Sequence, residues 1–339
     1  MKIIAFTESN SSKSINKKTE FYTLFLFLLL IFTNKSHSQN YVLVDSIVDT
    51  YPKNINTLDN LADQIRRDFV REEEKARAVF RWVATNISFD VELAAKMDFK
   101  SLKAFSYSNE KEKVVKENKF KSDLVNETFL SRKTVCHGYA VLIESLCKKL
   151  ALEVVTVTGT LKSDPTEIGL LPNVVNHAWN VVKINNEWEF IDATLGAGIL
   201  SSQTNSFKFD FNDGYFFTDP ERFFLNHYPL DEKWLLTSKI KNDFAKSPFI
   251  FGNYLKYGYK IMSPLLGIHS KKDGNFTFSL QGLDEYDNVQ YALNSNNKIV
   301  FLEQEDNTKD FVIDITGIGE DYISIFVIGK IIAVYKIVN

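Results

Sequence analysis

The chain has no large excess of charge of either sign. Among its 339 residues there are 40 Lys and Arg and 43 Asp and Glu, which give a formal net charge of −3. A domain that binds nucleic acid through the phosphates usually carries a clustered basic surface. The charge balance therefore argues against a nucleic-acid partner.

Sequence motifs for bound cofactors are also missing. We find no glycine-rich phosphate loop, no Cys/His spacing typical of a zinc site and no calcium-loop pattern. These motifs supply the ligands that phosphates and structural metal ions require. We therefore expect no cofactor and no metal.

Cysteine is scarce, with only Cys136 and Cys147 in the whole chain. On one predicted helix their separation corresponds to about 16 Å of rise, which is beyond the reach of a disulfide. Cys136 is therefore predicted to be a free thiol. Cys147 shares an apolar stripe with Ile143, Leu146 and Leu150 and is interpreted as a core residue.

The longest apolar run is short and lies near the N-terminus. It covers residues 21–32, follows several lysines, and is followed by small polar residues that end at Ser38. This arrangement is typical of a secretory signal peptide over residues 1–38, cleaved so that the mature protein begins at Gln39. Twelve residues are too few to span a bilayer comfortably, so we expect a secreted or periplasmic protein without a stable membrane span. An uncleaved membrane anchor is the alternative.

Apolar periodicity places helices on both sides of a Lys- and Glu-rich segment. Residues 56–90 predict two helices, and residues 96–121 lack a clear period and are interpreted as a solvated insertion, with substrate contact as the alternative. A short helix is expected from Ser122 to Leu130. The next helix covers residues 135–150, with Thr134 as its N-cap.

This placement puts Cys136 in the first turn of a helix. The helix dipole and the unpaired N–H groups of the first turn stabilise a thiolate there, so Cys136 is a candidate nucleophile. His137 is an unsuitable base for it, because neighbouring side chains on a helix do not face each other.

A predicted hairpin brings a histidine and an aspartate together. Asn185 and Asn186 separate two alternating runs and tolerate the positive φ of a two-residue turn. Counting outward from that turn places His177 and Asp192 on one sheet face as diagonal neighbours, about 7 to 8 Å apart at the backbone. A three-residue turn would send Asp192 to the other face. We expect the same apolar face, which includes Trp179, to pack against the Cys136 helix.

Together these residues predict a Cys136, His177 and Asp192 triad. His177 would act as the base, and Asp192 would fix its tautomer. The backbone N–H of Cys136 is the first candidate donor to an oxyanion, and the sequence does not select a second among Trp82, Trp179 and Tyr107. Two further histidines, His227 and His269, have no acidic partner at a sensible spacing and are predicted to be structural.

Beyond residue 247 the pattern changes to short alternating runs. Six or seven strands over residues 248–339 predict a small all-β sandwich, with Gly329 and Lys330 as one hairpin turn. We find no ionisable cluster there, so we expect recognition or support, with a protein partner as one use. Residues 39–247 would then form the catalytic domain.

The motifs together resemble the transglutaminase-like superfamily, which has a papain-type fold. The matching segments are VFRWVATNISFD, TVCHGYAVLIESLCKKL, NHAWNVV and EWEFIDAT. The later stretch GYFFTDPERFFLNHYPLDEKWLL is similar to the subgroup that includes the kyphoscoliosis peptidase and its cytokinesis-related relatives. Cys136, His177 and Asp192 occupy the positions of nucleophile, base and orienting acid. One departure is HGY after Cys136, where an acidic residue before the glycine is commoner.

The resemblance implies an α+β fold, in which N-terminal helices and a catalytic helix pack on an antiparallel sheet, followed by the β-sandwich. It also implies a thiol enzyme that acts on amides of a protein or peptide substrate. Hydrolysis of a peptide or isopeptide bond through a thioester is the leading hypothesis. The alternatives are a transglutaminase, which transfers a glutamine acyl group to an amine, and a non-catalytic binding or scaffold protein.

Overall fold

The computed structural model describes residues 41–96, 107–201, 204–304 and 310–339. The predicted signal peptide lies outside these residues, so its cleavage after Ser38 stays a prediction. In the part of the chain that the structure describes, no helix has both the length and the apolar character of a membrane span.

The described helices are concentrated before residue 150. In chain order they are α1 (Val42–Asp49), α2 (Leu58–Asp68), α3 (Glu72–Asn86), α4 (Val91–Lys96), α5 (Glu110–Ser131), α6 (Cys136–Lys149), α7 (Ala193–Ala197), α8 (Pro220–Phe223), α9 (Lys241–Lys246) and α10 (Gly252–Lys256).

The described strands lie mostly after residue 150. In chain order they are β1 (Ser88–Phe89), β2 (Lys133–Thr134), β3 (Val154–Leu161), β4 (His177–Ile184), β5 (Glu187–Ile191), β6 (Gly198–Ser201), β7 (Ser206–Phe209), β8 (Phe216–Thr218), β9 (His227–Pro229), β10 (Phe249–Ile250), β11 (Lys260–Ser263), β12 (Ile268–Ser270), β13 (Asn275–Gln281), β14 (Val289–Leu293), β15 (Val300–Leu302), β16 (Asp310–Asp314), β17 (Asp321–Val327) and β18 (Lys330–Val338).

The two helices predicted within residues 56–90 are confirmed as α2 and α3. The Thr57 side chain caps α2 by accepting a hydrogen bond from the Asn60 N–H at 3.1 Å, and α2 buries Leu61, Ala62 and Ile65. These positions follow the period of a helix that buries one face.

The predicted solvated insertion is wrong in part, because a single helix, α5, runs through much of it. Asn109 caps this helix by accepting from the Glu112 N–H at 2.9 Å, so no separate helix begins at Ser122. Only Val125, Thr128 and Phe129 are buried along its 22 residues. A helix that is mostly exposed needs no apolar period, which is why the sequence pattern did not reveal it.

A five-stranded antiparallel sheet, with strand order β8-β5-β4-β3-β9, carries the candidate site. The predicted Asn turn is confirmed, since Asn185 and Asn186 have φ angles of 51° and 70°. The predicted register is confirmed as well, because Ile184 lies opposite Glu187 and the pairing continues without a shift to the β4 and β5 residues before Asp192.

The packing of the sheet faces differs from the expectation. Helix α6 contacts the face that carries Asn180, whose Nδ2 donates to the Ala140 carbonyl at 3.0 Å. Trp179 points to the opposite face, since successive strand residues alternate. That face is covered by Phe223 of α8, whose ring stacks on Phe190 with centroids 4.3 Å apart. The expectation that the Trp179 face packs against the Cys136 helix is therefore wrong.

The C-terminal residues form two sheets that pack face to face, as predicted for a β-sandwich. One contains β10, β18, β17, β14 and β15, with β12 on β18, and the other contains β11, β13 and β16. Across them, the Phe276 and Tyr335 ring centroids lie 4.8 Å apart. The mixed helix and sheet fold with a strand-rich C-terminal region is thus confirmed. The domain boundary at residue 247 stays a prediction.

A buried lysine ties the sheet to the segment before β10. The ammonium group of Lys162 donates to the Phe244 and Ser247 carbonyls, both at 2.9 Å, and to the Ser247 hydroxyl at 2.8 Å. Its backbone N–H donates to the Asn226 carbonyl, next to His227. Burial lowers the pKa of Lys162 to about 7, and the charge of Glu167 offsets only part of this effect.

This lowered pKa predicts a pH-dependent stability. Between about pH 7 and 10 the unfolded chain carries a proton on Lys162 that the native protein lacks, so the contribution of Lys162 to the free energy of unfolding rises with pH. We expect wild type to gain stability over Lys162→Met by about 1.4 kcal/mol per pH unit in this window. Urea unfolding at several pH values measures the difference. The exposed Lys260→Met serves as control, and a difference independent of pH would contradict the prediction.

Candidate active site

Cys136 lies in the first turn of α6, as predicted, but the helix begins at Cys136 and is capped differently. The N-cap is Val135, and no side chain caps the first turn. Thr134, the predicted cap, instead accepts a hydrogen bond from the Thr128 hydroxyl at 3.2 Å. The Gly138 N–H donates to the Val135 carbonyl at 2.9 Å. No side chain occupies the N–H groups before it, so they and the helix dipole can stabilise negative charge at the Cys136 sulfur.

Gly138 permits the close approach that fixes the first turn of α6. A Cβ atom at this position would lie 1.9 Å from Thr134 Oγ1 and 2.8 Å from Thr128 Oγ1. Any larger residue would therefore displace β2 or α5 from the start of the helix. The glycine of HGY has a steric role that is independent of the residue before it.

His177 is the first residue of β4, and the side chain of the preceding residue, Asn176, fixes the start of this strand against β3. Asn176 accepts from the Leu161 N–H at 2.7 Å and donates to the Leu161 carbonyl at 3.0 Å, so its side chain extends the pairing of β3 with β4. The His177 Nε2 atom lies 2.6 Å from Asp192 Oδ2. The Cys136 thiol lies close enough to the His177 ring to help raise the pKa of that ring. Since Nε2 is bonded to Asp192, Nδ1 is the ring atom left for the sulfur.

Asp192 is buried with 0% exposure and uses both carboxylate oxygens. It is the N-cap of α7, and Oδ1 accepts from the Thr194 and Leu195 N–H groups at 2.9 and 3.0 Å. The other oxygen, Oδ2, faces His177. Asp192 thus caps a helix and orients an imidazole at the same time.

The protonation states follow from these contacts. Burial opposes the charge of His177, but the Asp192 carboxylate and the hydrogen bonds to Asp192 and Cys136 outweigh it and raise the pKa of His177 to about 10. Burial alone would raise the pKa of Asp192, yet the His177 charge and the two imidazole hydrogen bonds hold it below its usual range. At neutral pH the ring is therefore a cation beside the sulfur and the carboxylate is an anion.

The prediction that His227 lacks an acidic partner is wrong. Its Nε2 atom lies 3.1 Å from Asp192 Oδ2, on the same oxygen that faces His177. Strand β3 lies between the two histidine-bearing strands, with Gly159 opposite His177 and Leu161 opposite His227. Both histidines therefore reach the same face.

One signal in the sequence could have located this convergence. Gly159 sits in the middle of β3, where a Cβ atom would lie 2.6 Å from the Trp179 ring and 2.2 Å from the Tyr228 carbonyl oxygen. A glycine inside a strand pattern often marks such a close approach.

His177, Asp192 and His227 could in principle hold a metal ion, since their ligand atoms lie within 4.8 Å of one another. Two ligands of one tetrahedral ion, each about 2.0 to 2.1 Å from it, lie about 3.3 Å apart. The 2.6 Å separation of His177 Nε2 and Asp192 Oδ2 is that of a charge-assisted hydrogen bond. Hydrogen bonding therefore accounts for this cluster.

Of the three candidates for a second oxyanion donor, one lies beside the histidine and aspartate cluster. The Trp179 ring lies beside the cluster, 6.1 Å from the His177 ring centroid and 5.3 Å from that of His227. Trp82 stacks on Phe129, and Tyr107 lies under the Lys113 ammonium group. These contacts favour neither Trp82 nor Tyr107 as an oxyanion donor.

Three remaining residues have structural surroundings. His137 stacks on Phe120. His269 contacts the Leu266 carbonyl at 2.8 Å, in keeping with the predicted structural role. Cys147 is fully buried as predicted, and burial raises the pKa of its thiol to about 12.

Comparison with known proteins identifies this part of the chain. Residues 56–203 match the family model of the transglutaminase-like domain. They form a transglutaminase-like domain. The resemblance inferred from the sequence is thereby confirmed. The domain includes Cys136, His177 and Asp192, whereas His227 lies beyond the matched residues. The catalytic role of the three residues stays a prediction.

Several known proteins are similar in sequence to this chain. The chain is 29% identical over 180 residues to kyphoscoliosis peptidase of Mus musculus and 24% identical over 220 residues to hillarin of Drosophila melanogaster, covering 53% and 60% of this chain. It spans about a quarter (24%) of the length of both relatives. A crystal structure of a TGase aligns with 60% of this chain and 44% of its own, at 17% identity and a TM-score of 0.28.

The ion pair around His177 predicts the reactivity of the thiol. Asp192→Asn removes the anion that keeps the ring charged, so we expect Cys136 to react with iodoacetamide at least about tenfold more slowly near pH 6.5. Mass spectrometry of the alkylated peptides measures the rate, with buried Cys147 as an internal reference. Asp314→Asn is the matched control, because Asp314 also accepts from the N–H two residues on but is exposed. Equal rates in Asp192→Asn and wild type would contradict this assignment.

Proposed function

We propose that the protein is a cysteine hydrolase that cleaves peptide or isopeptide amide bonds through a thioester. The observation that supports this proposal is the buried His177–Asp192 pair, with 2.6 Å between Nε2 and Oδ2, next to the Cys136 thiol that helps to raise the pKa of His177. The name of the mouse relative, kyphoscoliosis peptidase, is in keeping with hydrolysis.

The proposed first step is attack of the Cys136 thiolate on the amide carbon. A carbon–sulfur bond forms and the carbonyl electrons move to oxygen. His177, already charged, then donates the Nδ1 proton to the leaving nitrogen, and the carbon–nitrogen bond breaks to release an amine. The product on the protein is a thioester.

Water completes the proposed cycle. Neutral His177 removes a proton from the water molecule, the hydroxide oxygen attacks the thioester carbon, and the carbon–sulfur bond breaks to return the thiolate and a carboxylic acid. Asp192 stabilises the imidazolium whenever it forms. The backbone N–H of Cys136 has no acceptor within α6, because the first-turn N–H groups of a helix are unpaired, so it is suited to bind the oxyanion.

Transfer to an amine would use the same residues. In a transglutaminase reaction the nitrogen of a primary amine replaces water at the thioester carbon and forms a new amide. Hydrolysis is favoured here because water is available in any site that is not built to exclude it.

A closed site favours the third hypothesis, a non-catalytic binding or scaffold protein. Cys136 is only 8% exposed. Two described cavities, of about 500 and 420 Å³, are lined by other parts of the chain and contain none of the three triad residues. If the protein is an enzyme, a substrate must reach a sulfur that neighbouring atoms largely cover.

We further propose that the protein is exported. The basic leader, the apolar run of residues 21–32 and the small residues up to Ser38 support this proposal. Outside the cytoplasm a protein or peptide substrate would be within reach, and the C-terminal strands could bind a further protein partner.

The chemistry predicts distinct products. We expect residues 39–339 to generate new termini in a mixed peptide pool that includes isopeptide-linked and glutamine-containing peptides, and Cys136→Ala to generate none. Mass spectrometry with and without a primary amine separates hydrolysis from amine incorporation. Cys147→Ala is the matched control and should stay active. If wild type and Cys136→Ala give the same peptides, the scaffold hypothesis is supported instead.

Export predicts a defined N-terminus. Expressed as the full chain in a secretion-competent cell, the protein should appear outside the cytoplasm with Gln39 as its first residue, as read by mass spectrometry. Leu28→Arg interrupts the apolar run and should hold the protein inside the cell. Leu170→Arg, at a leucine that is 60% exposed, is the matched control. Recovery of the uncleaved chain in the membrane fraction would favour the anchor.

A further inference from the structure

We propose that His227 is a positioning residue, which holds Asp192 Oδ2 in place against His177 through a second imidazole hydrogen bond. This role rests on the proposed cysteine chemistry, since it concerns the group that orients the base. It adds a fourth side chain to the candidate site, contributed by β9 and lying outside the matched domain.

The first argument is the completeness of the contacts around Asp192. A carboxylate in water accepts several hydrogen bonds, and a buried one is costly unless these are replaced. Oδ1 receives two backbone N–H groups, and Oδ2 receives His177 at 2.6 Å and His227 at 3.1 Å. Without His227, Oδ2 would keep a single donor and could move away from the ring that it orients.

The second argument is that His227 is itself held firmly. Its ring stacks on Phe223 with centroids 3.8 Å apart and an interplanar angle of 13°. It also packs edge-to-face with the Trp179 ring, at a centroid separation of 5.3 Å. A donor with so little freedom can fix the position of its acceptor.

The third argument concerns the charge of the two rings. Burial lowers the pKa of His227 even though Asp192 favours its charged form, and the charge on His177 lowers it further. His227 is therefore neutral when His177 is a cation. A neutral ring has one N–H group, and Asp192 is a stronger acceptor than a carbonyl, so the proton resides on Nε2. His227 thus supplies a hydrogen bond without competing for the negative charge.

Two amide substitutions separate positioning from space filling. In His227→Gln the side-chain nitrogen can take the place of Nε2 and still donate to Asp192. In His227→Asn the shorter side chain places its nitrogen near the Nδ1 position, toward Phe223, and loses the bond to Asp192. His227→Phe keeps the stacking on Phe223 and removes the Nε2 donor. Tyr228→Phe, which removes a neighbouring hydrogen bond to Glu232, is the control for a nearby buried change.

The experiment measures the pKa of His177 by NMR titration of the ring signals in the full chain carrying Cys136→Ala. We expect His227→Asn and His227→Phe to lower this pKa by about half to one unit, the shift that corresponds to one net hydrogen bond. His227→Gln and Tyr228→Phe should leave it unchanged. Thermal unfolding of each variant identifies any that fails to fold. If His227→Phe fails to fold, the comparison of His227→Gln with His227→Asn decides the test.

Two results would overturn the inference. A rise of the His177 pKa in the Asn and Phe variants would mean that His227 only weakens the pull of Asp192 on the ring. An equal fall in Gln and Asn would mean that the shape of the imidazole matters and its N–H group does not. The titration uses an inactive variant, so it is independent of the peptide assay: a chain without amidase activity can still support or reject the role of His227.

Discussion

The candidate site depends on one buried carboxylate. Asp192 has no exposure to water, so its charge must be balanced within the protein. Its four donors come from the start of α7, from β4 and from β9, three separate parts of the chain. Together these donors offset the cost of burying the charge, and the carboxylate in turn raises the pKa of His177. The charge of the ring beside the thiol is thus a consequence of the fold around residue 192.

Local geometry explains what could be predicted from the sequence. A two-residue Asn turn has few conformations, and counting residues outward from it is enough to place His177 and Asp192 on one face. The position of Cys136 at the start of a helix also follows from a local pattern. Both features depend on residues that are close together in the chain.

The features that were missed depend on distant residues. His227 is 35 positions from Asp192, and it arrives because β9 pairs with the far side of β3. No periodicity encodes that strand order. The same holds for the sheet faces, because either face of an amphipathic sheet could have received α6. Helix α5 was missed for a different reason, since its long exposed surface carries charges where an apolar stripe would be expected.

The pairing of β10 with β18 has a consequence for how the chain acquires its structure during synthesis. Phe249 and Ile250 lie opposite Val334 and Ala333, and Ile168 packs with Phe249 and Val334 in one apolar cluster. A ribosome must therefore add the last strand before residue 168 can complete its packing. Until then the apolar surface around it stays open to solvent and to other chains.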